Sequence, residues 1–122
     1  AVTLLMLVQF FFFGALVAHA RSTSNVQAPA MTGPERFERL SRVHLNTQER
    51  LVMMLPLMAT AAHFWNPLYV AVPGLLFVLG RFVYWKGYVK EPAKRMAGNI
   101  ITVLAIGFCL LATVVGLVRA VL

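Results

Sequence analysis

Charged and amide side chains are concentrated in residues 35–50 (ERFERLSRVHLNTQER), which run directly into the apolar residues 51–55 (LVMML). On a helical wheel with about 100° per residue, most of these side chains fall on one side. The resulting polar stripe consists of Arg39, Arg42, Asn46, Glu49 and Arg50. His44 lies about 140° from Arg39 and therefore points elsewhere. The pattern predicts a helix with one ligand-type face at the edge of an apolar region.

The charge balance of this stretch indicates an anionic ligand. Residues 35–50 contain four Arg and three Glu. Ion pairs within the helix, for example of Glu38 with Arg42, would therefore leave at least one Arg without a carboxylate partner. A charge near a bilayer centre costs roughly 2.5–3.5 kcal/mol, so such groups are paired or functional. Guanidinium groups bind carboxylates through bidentate, charge-assisted hydrogen bonds. We therefore interpret the stripe as a binding surface for an acidic molecule.

A second set of polar residues could form the opposite wall of the same site. Arg81, Tyr84 and Tyr88 are spaced i, i+3 and i+7, which places them on one helix face. Without Arg81, the tyrosines and Trp85 would be typical of a membrane-interface belt. Arg95 is expected at the start of a further helix, where free N–H groups and the helix dipole add positive potential.

The elements that position these residues are expected to lie in a membrane. The 122 residues are 60% hydrophobic and only 12% charged, whereas soluble domains carry about 25% charged residues. The net charge of +7 comes from basic clusters between apolar runs, which fits membrane loops better than a nucleic-acid surface. Cys109 is the single cysteine, and no His, Cys and Glu set has the spacing of metal ligands. We expect no metal and no nucleic-acid partner.

Four apolar runs predict an all-α membrane bundle forming one domain over residues 1–122, because a membrane helix needs about 20 mainly apolar residues. The expected helices cover residues 1–20, 35–64, 67–89 and 93–121. The first run could instead be a secretory signal, since Ala18-His19-Ala20 resembles a cleavage site. No basic residue precedes that run, so we expect a retained helix.

The basic residues also predict a topology. The loops at residues 21–34 and 90–95 carry or adjoin most of the Lys and Arg, whereas the turn at Asn66-Pro67 is uncharged. Positive residues favour the cytoplasmic side. We therefore expect an integral, multi-pass protein of a bacterial inner membrane, with both loops in the cytoplasm and both termini on the opposite side.

Several ordered motifs resemble the MAPEG family, the membrane-associated proteins in eicosanoid and glutathione metabolism. The matching segments are residues 32–39 (TGPERFER), 42–49 (RVHLNTQE), 80–84 (GRFVY), 87–88 (GY) and 91–95 (EPAKR). The pattern is most similar to small bacterial members and to the leukotriene synthase and microsomal glutathione transferase types. Arg50 departs from it, because relatives often have an aromatic residue there, and Ser22 stands where a second Arg would follow Arg21 in the leukotriene synthase pattern.

The resemblance implies a homotrimer of four-helix subunits in the lipid bilayer, with glutathione as co-substrate between neighbouring subunits. Carried over by position, the glutathione-binding residues would be Arg42, Asn46, Glu49, Arg81, Tyr84 and Tyr88. Arg95 would lie beside the sulfur as the catalytic residue. Arg21 and His44 would reach the site of the neighbouring subunit. The second substrate would be a lipophilic electrophile or hydroperoxide from the bilayer.

Three functions are compatible with these residues. The first is a glutathione S-transferase or glutathione-dependent peroxidase, in which an arginine stabilises the thiolate that attacks the electrophile. The second is a non-catalytic lipid-binding protein or accessory subunit with the same fold, which would not need the complete polar set. The third is a small channel, which the stripe disfavours because it occupies only one end of the membrane.

Overall fold

Four long helices make up the chain. A computed structural model describes residues 1–122, except the side chain of Pro92. The helices are α1 (Val2–Thr23), α2 (Glu35–Phe64), α3 (Pro67–Lys90) and α4 (Met96–Val121). A short 3-10 turn, Pro92–Arg95, leads into α4. The predicted all-α bundle is confirmed, with the refinement that the expected fourth helix begins as this turn.

The helix boundaries follow from local sequence signals. α2 starts directly after Pro34 and carries Glu35 and Glu38 in its first turn, where the helix dipole favours acids. α3 starts after Asn66, whose side-chain oxygen accepts a hydrogen bond from the Leu68 backbone N–H at 3.0 Å. Pro67 occupies the first turn of α3, where its missing N–H does not matter. The tight turn predicted between α2 and α3 is therefore present.

Three segments are long and apolar enough to cross a membrane. They are Val2–Thr23, Pro67–Lys90 and Ala93–Val121. α2 differs because its first half carries the polar stretch and only its second half is apolar. Large apolar side chains such as Phe11, Leu68 and Leu111 are mostly exposed on the outside of the bundle. An outer surface of this kind is suited to lipid.

α3 and α4 approach each other closely near the polar residues, and two glycines make this possible. A Cβ atom added at Gly98 would overlap the backbone of Tyr84. One added at Gly80 would lie 2.8 Å from the Thr102 hydroxyl and 3.0 Å from the Thr102 backbone nitrogen. Small residues let membrane helices approach this closely. Gly98 therefore fixes the position of Tyr84 relative to the start of α4.

Substituting Gly98 with alanine should destabilise the bundle. Because the new methyl group meets backbone, which cannot rotate away, we expect a loss of about 3 kcal/mol, the upper part of the usual range for overpacking. The measurement is the thermal unfolding midpoint of the purified protein in detergent. Gly107→Ala is the matched control, since nothing lies within 4 Å of its added Cβ. Equal midpoints for the two variants would show that the α3–α4 contact is not held by Gly98.

Candidate functional site

A polar cavity of about 300 Å³ lies between α2, α3 and α4, at the end of the bundle where α4 begins. Its lining residues are Arg42, Asn46, Arg50, Tyr84, Tyr88, Arg95 and Asn99. Three of these are arginines and none is acidic, so the cavity has a strong positive potential. Five of the lining residues, Arg42, Asn46, Tyr84, Tyr88 and Arg95, were predicted as site residues from the sequence.

Arg81 lies directly behind this cavity and is completely buried. Its Nη1 donates to the Asn46 side-chain oxygen at 2.7 Å, and its Nε donates to the Thr102 hydroxyl at 3.0 Å. The guanidinium lies over the Tyr84 ring, with its central carbon 4.3 Å from the ring centroid. Nη2 has no hydrogen-bond partner among the described side chains. Arg81 thus orients Asn46 and adds a buried positive charge to the cavity wall.

Two threonine hydroxyls can accept hydrogen bonds from Arg81, because each already donates its own proton to a backbone carbonyl. The Thr102 hydroxyl donates to the Gly98 carbonyl at 2.9 Å, and the Thr47 hydroxyl donates to the Val43 carbonyl at 2.7 Å. Each hydroxyl oxygen therefore has lone pairs left for a donor. Arg81 Nη1 lies 3.5 Å from the Thr47 oxygen, at the limit of a hydrogen bond. The polar contacts of Arg81 thus come from neutral groups, and none of them neutralises its charge.

Arg50 is the second arginine held by an amide. Its Nη2 donates to the side-chain oxygen of Asn99 on α4 at 3.0 Å. Its Nε is buried and lacks a partner among the described residues. Side chains on a helix lean toward its N-terminus, so the Arg50 head group reaches back from the apolar half of α2 into the cavity. Arg50 therefore joins α2 to α4 at the inner end of the site.

Two tyrosines and Arg95 complete the wall. Tyr84 and Tyr88 stack with their ring centroids 5.6 Å apart and an interplanar angle of 23°. Arg95 is the last residue of the 3-10 turn and the N-cap of α4, and it is exposed. The positive end of the α4 helix dipole adds to its positive potential. An anion in the cavity would thus meet both a guanidinium and a helix N-terminus.

Two members of the predicted stripe do not line this cavity. Arg39 pairs with Glu35 at 2.7 Å and donates to the Val89 carbonyl at 2.9 Å, so it closes the end of α3. Arg39 therefore forms an ion pair within α2, which is the alternative to ligand binding for the residues of the stripe. Glu49 is exposed and lies outside the lining of the cavity.

Arg21 and His44 lie together on another side of the bundle. They share a cavity of about 490 Å³ with residues of α1 and of the following loop. His44 stacks on Phe10 with ring centroids 4.5 Å apart. Arg21 donates to the Ala30 carbonyl at 2.8 Å and lies over the Phe37 ring. Neither residue lines the polar cavity, and their predicted role toward a neighbouring copy of the chain stays a prediction.

Sequence reasoning missed three residues that shape the polar cavity. Asn99 holds Arg50, and Thr47 and Thr102 contact Arg81. Asn99 could have been predicted as a site residue, because it follows Arg95 by four residues and residues with this spacing share a helix face. Thr102 could have been noticed as a polar residue within an apolar run. Thr47 gave no signal, because it lies beside the stripe among other polar residues.

Comparisons with known proteins identify relatives of the chain. The family model described as "MAPEG family" matches residues 1–115. An uncharacterized protein of Synechocystis sp. is 42% identical over 67% of this chain and 60% of its own length. Microsomal glutathione S-transferase 2 of Mus musculus is 34% identical over 80% of this chain and 67% of its own length. Leukotriene C4 synthase of Bos taurus is 32% identical over 80% of this chain and 65% of its own length. The chain thus spans about two thirds of the length of these relatives.

Proposed function

This chain belongs to the MAPEG family, and we propose that it is a membrane-bound glutathione transferase or glutathione-dependent peroxidase for lipophilic electrophiles or hydroperoxides. The observation that carries the proposal is the polar cavity, whose lining contains three arginines and no acid and which is backed by the buried Arg81. The names of two relatives, a glutathione S-transferase and a leukotriene synthase, support glutathione as the ligand.

The charges of glutathione match those of the cavity. The tripeptide has two carboxylates, one ammonium and one thiol. Arg42 is assigned to one carboxylate, and Asn46, oriented by Arg81, to the other. The stacked tyrosines provide a wall for the peptide. Glu49, exposed on α2 just before Arg50, is assigned to the ammonium.

Arg95 is assigned to the sulfur. A thiol is nucleophilic as the thiolate, and a nearby guanidinium together with a helix N-terminus favours that form. Arg95 therefore lowers the pKa of the bound thiol without taking its proton, which leaves to water. The thiolate then attacks the electrophile: a sulfur–carbon bond forms, and the electron pair of the broken bond leaves with the departing group. The second substrate enters from the lipid side.

We extend the proposal to a homotrimer with a defined orientation. The polar cavity is open to the surface at the exposed Arg42 and Arg95, so an adjoining subunit could close it. Arg21 and His44 share a different surface, from which they could reach the site of that subunit. The loop at 21–34 and the turn at 90–95 are assigned to the cytoplasm of a bacterial cell, as their basic residues indicate.

Calorimetric titration of the purified protein with glutathione tests the proposed function. We expect saturable binding at millimolar glutathione or below. Arg42→Leu should weaken binding at least about tenfold, since a hydrogen bond to a charged group contributes about 1.5–3 kcal/mol and about 1.4 kcal/mol is tenfold. Arg36→Leu is the matched control, because Arg36 is exposed on the first turn of α2 and outside the cavity lining. Absence of binding to the unmodified protein would exclude the proposed function. Binding without any turnover would support the non-catalytic alternative.

A further inference from the structure

Arg50 occupies the membrane-side end of the polar cavity. Arg42, Asn46 and Arg50 lie on successive turns of α2, about 6 Å apart along the axis. On α4, Asn99 lies one turn beyond Arg95 toward the apolar half of the helix. The hydrogen bond from Arg50 to Asn99 therefore lies about one turn deeper in the bundle than Arg95.

The contacts of Arg50 leave donors available to a ligand. Nη2 donates to Asn99 and Nε is buried, while Nη1 makes no hydrogen bond to the described residues and remains as a donor. Because the Asn99 oxygen accepts from Arg50, the NH₂ group of the same amide remains as a donor. Two donor groups are thus fixed in place at one end of a cavity without an acidic lining residue. Donors fixed before the reaction are effective at stabilising charge that develops during it.

The site has more guanidinium groups than glutathione has anionic groups. Its anionic groups are two carboxylates and the thiolate. Arg42, Arg81 and Arg95 already provide a guanidinium for each of them, directly or through Asn46. Arg50 is the fourth, and it lies on the side of Arg95 from which a lipophilic molecule would meet the sulfur.

We propose that Arg50, positioned by Asn99, stabilises the oxygen anion that forms on the second substrate. The preferred substrates are then hydroperoxides and epoxides, whose leaving atom is oxygen. This inference rests on the proposed function, and it assigns Arg50 as a catalytic residue and Asn99 as a positioning residue.

A hydroperoxide reacts at its O–O bond. The thiolate sulfur attacks the terminal peroxide oxygen, the O–O bond breaks, and its electron pair leaves with the alkoxide. The sulfur is oxidised to a sulfenic acid, and the alkoxide beside Arg50 takes a proton from water. A second glutathione then reduces the sulfenic acid, which yields glutathione disulfide and water. With an epoxide, a sulfur–carbon bond forms, the carbon–oxygen bond breaks, and the alkoxide again takes a proton from water.

Paired substrates test this assignment. For the Arg50→Leu variant we expect kcat with cumene hydroperoxide to fall about 100-fold, as when one oxyanion donor is removed. With benzyl chloride kcat should change less than about threefold, because the chloride that leaves is a very weak base and needs far less stabilisation than an alkoxide. The dissociation constant of glutathione should stay within about threefold, because Arg50 acts on the electrophile. Arg36→Leu again serves as the matched control and should leave both reactions unchanged.

Asn99→Asp separates a catalytic from a structural role of Arg50. The aspartate keeps an oxygen for Arg50 to donate to, but it neutralises the guanidinium and repels an oxygen anion. We expect a selective loss with the hydroperoxide of at least tenfold, while a purely structural role would leave turnover intact. Equal losses with both electrophiles, no hydroperoxide turnover in the unmodified protein, or weaker glutathione binding without selectivity would overturn the assignment of Arg50. Absence of glutathione binding to the unmodified protein would overturn the proposed function as well, which distinguishes the two failures.

Discussion

Replacing Arg95 with alanine should lower kcat by about 100-fold to 1,000-fold while leaving the affinity for glutathione within about threefold. Losses of this size follow the removal of one group that stabilises developing or reacting charge. The affinity is spared because Arg42 and the buried Arg81 provide the attraction for the carboxylates, whereas Arg95 acts on the sulfur. Steady-state kinetics with benzyl chloride, together with calorimetric binding of glutathione, measure the two quantities.

The matched control for this prediction is Lys94→Ala. Lys94 precedes Arg95 in the same turn, but it pairs with Glu91 at 3.8 Å and lies outside the cavity lining. Its removal changes the net charge equally, so a general effect of charge would appear in both variants. Unchanged turnover in Arg95→Ala, or an equal loss in Lys94→Ala, would show that Arg95 does not stabilise the thiolate.

Arg81→Met should weaken glutathione binding and retain the fold, whereas Arg95→Ala should spare binding and lower turnover. Arg81 is completely buried, and the structure gives it amide, hydroxyl and aromatic contacts but no carboxylate among the described residues. A buried charge without an oppositely charged partner costs free energy to remove from water, and an apolar residue of similar size does not have this cost. We therefore expect the unfolding midpoint to stay equal or rise. Glutathione affinity should fall about 100-fold, because Asn46 loses its orientation and the cavity loses a charge that contributes about 3 kcal/mol to binding.

Arg39→Met is the control for Arg81→Met. It removes the same group from α2, but Arg39 contacts Glu35 and the end of α3 rather than the cavity. We expect glutathione affinity to remain within about threefold of the unmodified protein. If Arg81→Met unfolds the protein, its charge is needed for the fold; if it binds glutathione normally, its charge is not needed for the site.

The helices could be predicted from the sequence because their signals are local. The lengths of the apolar runs, Pro34 before α2 and Asn66-Pro67 before α3 each act within a few residues. The composition of one cavity wall could be predicted for the same reason. Arg42 and Asn46 repeat with the helical period on α2, as Tyr84 and Tyr88 do on α3. Periodicity brings such residues to one face regardless of what the helix packs against.

The rotation of each helix against its neighbours could not be predicted. The close approach at Gly80 and Gly98 sets the rotation of α4, and this brings Asn99 and Thr102 to Arg50 and Arg81. The packing of α2 against the end of α3 takes Arg39 out of the stripe. These contacts join residues at least 14 positions apart on different helices, and a helical wheel of one segment contains no information about them.

Ultraviolet difference spectroscopy can detect whether the cavity holds glutathione as a thiolate stabilised by Arg95. A thiolate absorbs in the ultraviolet where the thiol does not. At neutral pH, saturating glutathione should produce this absorbance in proportion to the occupied sites, whereas S-methylglutathione should not. Arg95→Ala should bind glutathione without the absorbance. Saturable binding of glutathione to the unmodified protein with no thiolate absorbance would contradict the account.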